Sequence, residues 1–110
     1  MAKRRPGRRA GAARFRPAVR NVVGIADYTL EDWRRIVSAS AAPSEEDDTY
    51  EEWRQARDHV LAVLAARGVE AHLVPVRAEA LFAWLQARGL PNLSQHRAEY
   101  ARQLLAEGRR

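Results

Sequence analysis

Between Asp48 and Gly89 the apolar residues recur first at helical spacing, then as a short run, then at helical spacing again, and these changes of period mark the elements. Thr49 with Glu52 three residues on is a capping-box pattern, in which a hydroxyl and a carboxylate satisfy backbone donors that a first helical turn leaves unpaired. It predicts a helix from Tyr50. At 100° per residue Tyr50, Trp53, Ala56, Val60, Leu61, Val63 and Leu64 share one arc, while Glu51, Arg54, Gln55, Asp58 and His59 share the other, so one core face and one wet face are expected. Arg57 falls inside the apolar arc one turn after Trp53, where its stem can lie across the indole while the guanidinium reaches water. Gly68 ends this helix because glycine takes the left-handed cap conformation without steric cost. Val69 to Val76 reads as a strand, and Pro75, with no N–H to give, argues for an edge or for the strand's end. From Ala78 to Arg88 the spacing of Leu81, Phe82, Trp84 and Leu85 gives another amphipathic helix, stopped by Gly89-Leu90-Pro91.

Val19 to Ile25 is rich enough in Val and Ile for a second strand, with Gly24 as a bulge. The two strands are natural partners, since either alone leaves its backbone groups unpaired. The helices between them are then expected on one face of the sheet, with the other face open to a dimer partner or covered by the last helix. Thr29 to Arg34 opens a helix with Leu30, Trp33, Ile36 and Val37 on one side. Its Thr-Leu-Glu-Asp-Trp-Arg recurs twenty residues later as Thr-Tyr-Glu-Glu-Trp-Arg, and the similarity is read as convergent helix-start chemistry, a threonine cap followed by acids at the positive end of the helix dipole. After Pro91, Leu93, Tyr100, Ala101, Leu104 and Leu105 form the stripe of a final helix that can close over the core. The pattern as a whole predicts an α+β fold, mainly α, with about four helices and a small two-stranded sheet. Residues 18–110 are expected to form one small domain, preceded by a disordered basic arm over residues 1–17.

Charge changes this picture more than composition does. Residues 1–20 carry eight basic side chains (Lys3, Arg4, Arg5, Arg8, Arg9, Arg14, Arg16 and Arg20) and no acid, whereas the remaining ninety carry eleven basic and fourteen acidic ones. The arm is strongly basic and the body mildly acidic. Each arginine of the arm can meet a phosphate, and these eight residues are the candidate nucleic-acid contacts, for DNA or RNA. Arginine-rich, acid-poor N-termini also serve as solubilising tails, as targeting signals and on anionic membrane surfaces. The acids Glu45, Glu46, Asp47, Asp48, Glu51 and Glu52 lie together, without the ligand spacing and central glycine of a calcium loop, and read as a solvated helix start. They are also placed to attract the arm of their own chain, which a nucleic acid would then have to displace. The sequence has no cysteine, which removes disulfides and thiolate metal sites and suits a reducing cytoplasm. It has no run long enough to span a membrane.

Catalytic patterns are lacking. His59, His72 and His96 fall on different elements and form neither His-x-x-x-His nor Glu-x-x-His pairs, and no serine lies in a nucleophile elbow. No phosphate-cradling glycine loop is present, and every carboxylate reads as exposed, so no acid is expected to be tuned for proton transfer. Trp33, Trp53 and Trp84 are expected to meet in one aromatic core. Arg97 and Arg102 can extend a basic surface from the last helix. The expectation is a small cytoplasmic, non-enzymatic nucleic-acid-binding accessory protein without metal or cofactor, whose body mediates dimerisation or partner contact. The alternative is a protein–protein adaptor or inhibitor with an incidental basic tail.

Overall fold

The computed structural model describes residues 22–108. In chain order these form strand β1 (Val22–Asp27), helix α1 (Leu30–Ser38), a 3₁₀ turn (Pro43–Glu45), helix α2 (Tyr50–Ala66), strand β2 (Glu70–Pro75), helix α3 (Ala78–Arg88) and helix α4 (Ser94–Gly108). The α+β fold with four helices and a two-stranded sheet is therefore present. The strands run parallel, Val22 opposite Glu70 and Asp27 opposite Pro75, and a parallel pair requires a crossover, which α1 and α2 supply. Residues 19–21 of the expected first strand lie outside the described residues, as does the arm. The strand continues past Ile25 to Asp27.

The helix starts follow the threonines. Thr29 Oγ1 accepts from the Asp32 N–H and Thr49 Oγ1 from the Glu52 N–H, each at 3.1 Å. The two caps then diverge. Glu52 turns back to take the Asp48 N–H at 3.2 Å, whereas Asp32 points inward to another helix. Gly68 and Gly89 have φ of 74° and 64°. In each case the residue after the glycine donates back into the final helical turn, Val69 to the Leu64 carbonyl at 2.9 Å and Leu90 to the Leu85 carbonyl at 3.0 Å, the hydrogen bond that closes a Schellman motif.

Side chains alternate across a strand, so Gly24, Ala26 and Val74 face one side of the sheet and Ile25, Asp27 and Leu73 the other. The last helix covers the Gly24 side. A Cβ on Gly24 would stand 3.2 Å from the Ala101 carbonyl oxygen and 3.3 Å from both Leu105 and Val74. The ladder runs unbroken through Gly24, so this glycine is no bulge; it is the position where α4 comes close to the strand. On the opposite face α2 lies against the sheet, and α1 packs on α2 and α3 instead. The core is built chiefly from α1, α3, α4 and the end of β2, with Ile36, Leu81 and Val76 fully buried. Each such side chain contributes about 1.5–3 kcal/mol.

Two expectations about packing are corrected. No residue of α2 is fully buried: Tyr50, Trp53, Arg57, Leu61 and Leu64 are half-covered, while Ala56, Val60 and Val63 are exposed. Two strands about 4.8 Å apart make a sheet narrower than a helix of about 10 Å, so only one ridge of α2 finds cover. The three tryptophans do not meet. Trp33 and Trp53 join through Tyr50, with ring centroids 5.8 and 5.4 Å from it, while Trp84 packs separately against Tyr100 at 5.1 Å. The Trp84 indole N–H donates to Gln103 at 3.2 Å, a polar partner that an apolar centre does not offer.

Candidate functional site

The candidate nucleic-acid contacts Lys3, Arg4, Arg5, Arg8, Arg9, Arg14, Arg16 and Arg20 all lie outside the described residues. Residues 22–108 hold nine arginines against fourteen carboxylates, a formal charge of −5. Much of that positive charge is committed to packing. Arg97, expected on a basic surface, is 5% exposed. Its guanidinium forks onto Glu46, Nη2 to Oε2 at 2.5 Å and Nη1 to Oε1 at 3.2 Å, while Nε donates to Asn92 Oδ1 at 2.7 Å. Arg57 lies over the Trp53 ring at 5.3 Å as its spacing implies. Its head is held by Asp27 at 2.7 Å and Asp58 at 2.9 Å, which leaves the side chain only 14% exposed. Arg54 pairs with Glu51, and Arg35 and Arg88 stand over the rings of Phe82 and Trp84. Arg34, Arg67 and Arg102 are exposed.

The expectation that every carboxylate is exposed is overturned at four positions: Asp27 and Glu70 are half-covered, and Glu46 and Asp32 are the most enclosed. Glu46 is largely covered, and burial pushes its carboxyl pKa up, but hydrogen bonds from Arg97 and Ser40 outweigh that effect and hold it below the ordinary value. Asp32 is buried; its Oδ1 accepts the Ala78 N–H at 3.1 Å, and this bond, with the Thr29 hydroxyl at 3.0 Å, keeps it ionised at lower pH than usual. It acts as the N-terminal cap of a helix 46 residues further along the chain. Tyr28 lies beside Arg97, and loss of solvent drives its phenol up to about 12, partly opposed by that guanidinium. These groups are buried in mutually satisfied pairs. His72 pairs with Glu70 and His96 with Glu99, and among the described residues no three His, Asp or Glu side chains form a group able to hold a metal ion.

The feature that does offer unused binding capacity is the outer edge of β1. Val76 N–H donates to the Asp27 carbonyl at 2.9 Å, which fixes the alternation of the ladder. Val23, Ile25 and Asp27 turn their N–H and C=O toward β2; Gly24 and Ala26 turn theirs outward. No described residue pairs with those outward groups, although Gly24 is itself buried. The same alternation turns Ala71, Leu73 and Pro75 to the outer edge of β2, where the proline ring replaces an N–H. One edge is thus blunted and the other open.

The open edge lies in a groove. Gly24, Ile25 and Ala26 form its floor, with Trp53, Ala56 and Val60 of α2 on one side and Ser94 and Ala98 of α4 on the other. Toward the start of β1 it continues between Val22, Val23 and the α4 residues Gln95, Glu99 and Arg102. At the Asp27 end it meets Glu45, Glu46 and Asp47. Glu46 is committed to Arg97, but Glu45 and Asp47 are exposed, and no described cation pairs with them. Sequence reasoning read Gly24 only as a bulge and passed over Ala26, since neither side chain marks a free edge.

Comparison of the chain with protein-family models, curated proteins and solved structures gives no match.

Proposed function

We propose that this is a small, non-enzymatic nucleic-acid-binding accessory protein in which the N-terminal arm contacts phosphates and the helical body mediates dimerisation or partner contact. The observation that carries the reading is the separation of charge: eight basic side chains and no acid in residues 1–20, against −5 over residues 22–108. The commitment of Arg57 and Arg97 to carboxylates within the body supports it, because those two cations are already paired at 2.7 and 2.5 Å where they stand. Phosphate binding then falls to the arm.

The test is fluorescence anisotropy of labelled duplex DNA and single-stranded RNA, titrated at several salt concentrations with the full chain and with a chain lacking residues 1–17. Engagement of roughly six to eight arginines gives a slope of log K against log salt on the order of −5 to −7 for duplex, and deletion of the arm abolishes it. Weak, salt-insensitive binding by both chains rejects the reading.

A second reading, a protein–protein adaptor or inhibitor, is favoured by one specific observation: Val63 of α2 and Leu73 of β2 are exposed at 36% and 41%. Apolar side chains left open beside a sheet edge suit a protein partner. Retention of partner binding after loss of the arm distinguishes it from the first.

A further inference from the structure

We propose that the groove along the outer edge of β1 is the docking site of the chain's own N-terminal arm, with residues 10–16 folding back antiparallel to β1 as a third strand of the sheet. The inference concerns a contact within the chain and stands whether or not the protein binds nucleic acid.

The groove itself limits what can occupy it. The outward N–H and C=O of Gly24 and Ala26 call for a partner backbone, because buried peptide groups are nearly always paired. Helices α2 and α4 stand on either side of the edge, so a strand added there lies between them and meets both. Residues 10–13 of the arm are Ala10-Gly11-Ala12-Ala13.

Connectivity and charge select the arm over other strands. It joins β1 directly at Val22, the start of the groove, so its local concentration there is of millimolar order without any second molecule. If residues 17–21, which begin with Pro17, make the reversal, Arg16 lies opposite Val22, Arg14 opposite Gly24 and Ala12 opposite Ala26. Antiparallel partners share a face, so Phe15 falls beside Val23 on the α2 side, toward the exposed Val60, and Arg14 falls on the α4 side, toward Glu99. Gly11 then lies opposite Asp27, and beyond Ala10 come Arg9 and Arg8, delivered to the end of the groove where Glu45 and Asp47 have no described cation. An arm that carries eight positive charges meets a body of −5 at a place where, among the described residues, neither the outward groups of Gly24 and Ala26 nor the carboxylates of Glu45 and Asp47 have a partner.

The test uses the full chain labelled with ¹⁵N, without nucleic acid. Amide exchange at Gly24 and Ala26 is expected to be slower by about tenfold or more than in a chain lacking residues 1–17, while Val23 and Ile25, paired to β2 in both, report that the sheet is intact. Ala12→Pro keeps every charge and removes the donor to the Ala26 carbonyl, and it is expected to return Ala26 to the exchange rate of the deleted chain. Because the chain has no cysteine, a nitroxide on Ala10→Cys labels one site, and it is expected to broaden the amide signals of Glu45 and Asp47. Equal exchange in full and deleted chains, or no broadening, overturns the proposal. Broadening seen only when labelled ¹⁴N chain is mixed with unlabelled ¹⁵N chain assigns the groove to the arm of a second copy. Protection that depends on concentration and survives deletion assigns it to a second β1 edge; either result overturns docking within one chain.

Discussion

Arg97 and Glu46, 51 positions apart in the chain, meet as a two-pronged ion pair with oxygen–nitrogen distances of 2.5 and 3.2 Å. The pair fastens the loop before α2 to the first turn of α4. Breaking it on one side leaves a buried, uncompensated guanidinium, so Glu46→Gln is expected to lower the unfolding free energy by about 3 kcal/mol. Urea titration checks this. Combining Glu46→Gln with Arg97→Met removes the stranded charge and is expected to recover part of the loss.

Asp32 and Glu46 also set the acid limit of the fold. Both folded-state pKa values are depressed, from ordinary values of 3.8 and 4.5. Their contribution is therefore complete above those ordinary values and is lost as pH falls through the lower folded-state ones. The urea midpoint is expected to decline on acidification below about pH 4.5. Asp32→Ala, which strands the N–H of the fully buried Ala78, is expected to cost about 1–3 kcal/mol at neutral pH. An equal midpoint for the variant and the parent would show that water replaces the cap.

At the alkaline end Tyr28 contributes, together with Tyr100, which burial also pushes up. The folded-state pKa of Tyr28, about 12, exceeds the ordinary 10.0, so stability is complete below pH 10 and falls as pH rises toward 12, where the unfolded chain ionises and the folded one resists. Tyr28→Phe is expected to flatten that fall. Monitoring tryptophan emission through an alkaline titration of both chains gives the comparison.

Gly24→Val is expected to destabilise by about 1–3 kcal/mol through overpacking, because its first added atom already meets the Ala101 carbonyl oxygen at 3.2 Å. The same change in the arm-deleted chain gives an equal loss, since α4 and not the groove causes it. Thermal unfolding of the two pairs measures this.

The elements were legible because each had its own local signal. Thr29 and Thr49 cap where their spacing to Asp32 and Glu52 says they do, and Gly68 and Gly89 stop their helices by a conformation few other residues adopt. The burial of Arg97, Glu46 and Asp32 was not legible, because a charged residue on a helix or in an acidic run reads as solvated until its partner is known. Those partners lie 46 to 51 residues away. The same limit explains Ala56, Val60 and Val63: periodicity shows which side of α2 is apolar, not how wide a surface it meets. Of the candidate site, the charge of the arm was readable and the unpaired edge of β1 was not, since Gly24 and Ala26 carry nothing in their side chains that marks a binding role.

Pro75 on the outer edge of β2 has a consequence for assembly. Filaments of β-sheet grow because each added strand offers the next one the same edge. At the Asp27 end of the sheet the proline ring stands where a donor would be, so a strand arriving at β2 finds outward N–H groups at Ala71 and Leu73 alone and gains one ladder bond fewer than at an unbroken edge.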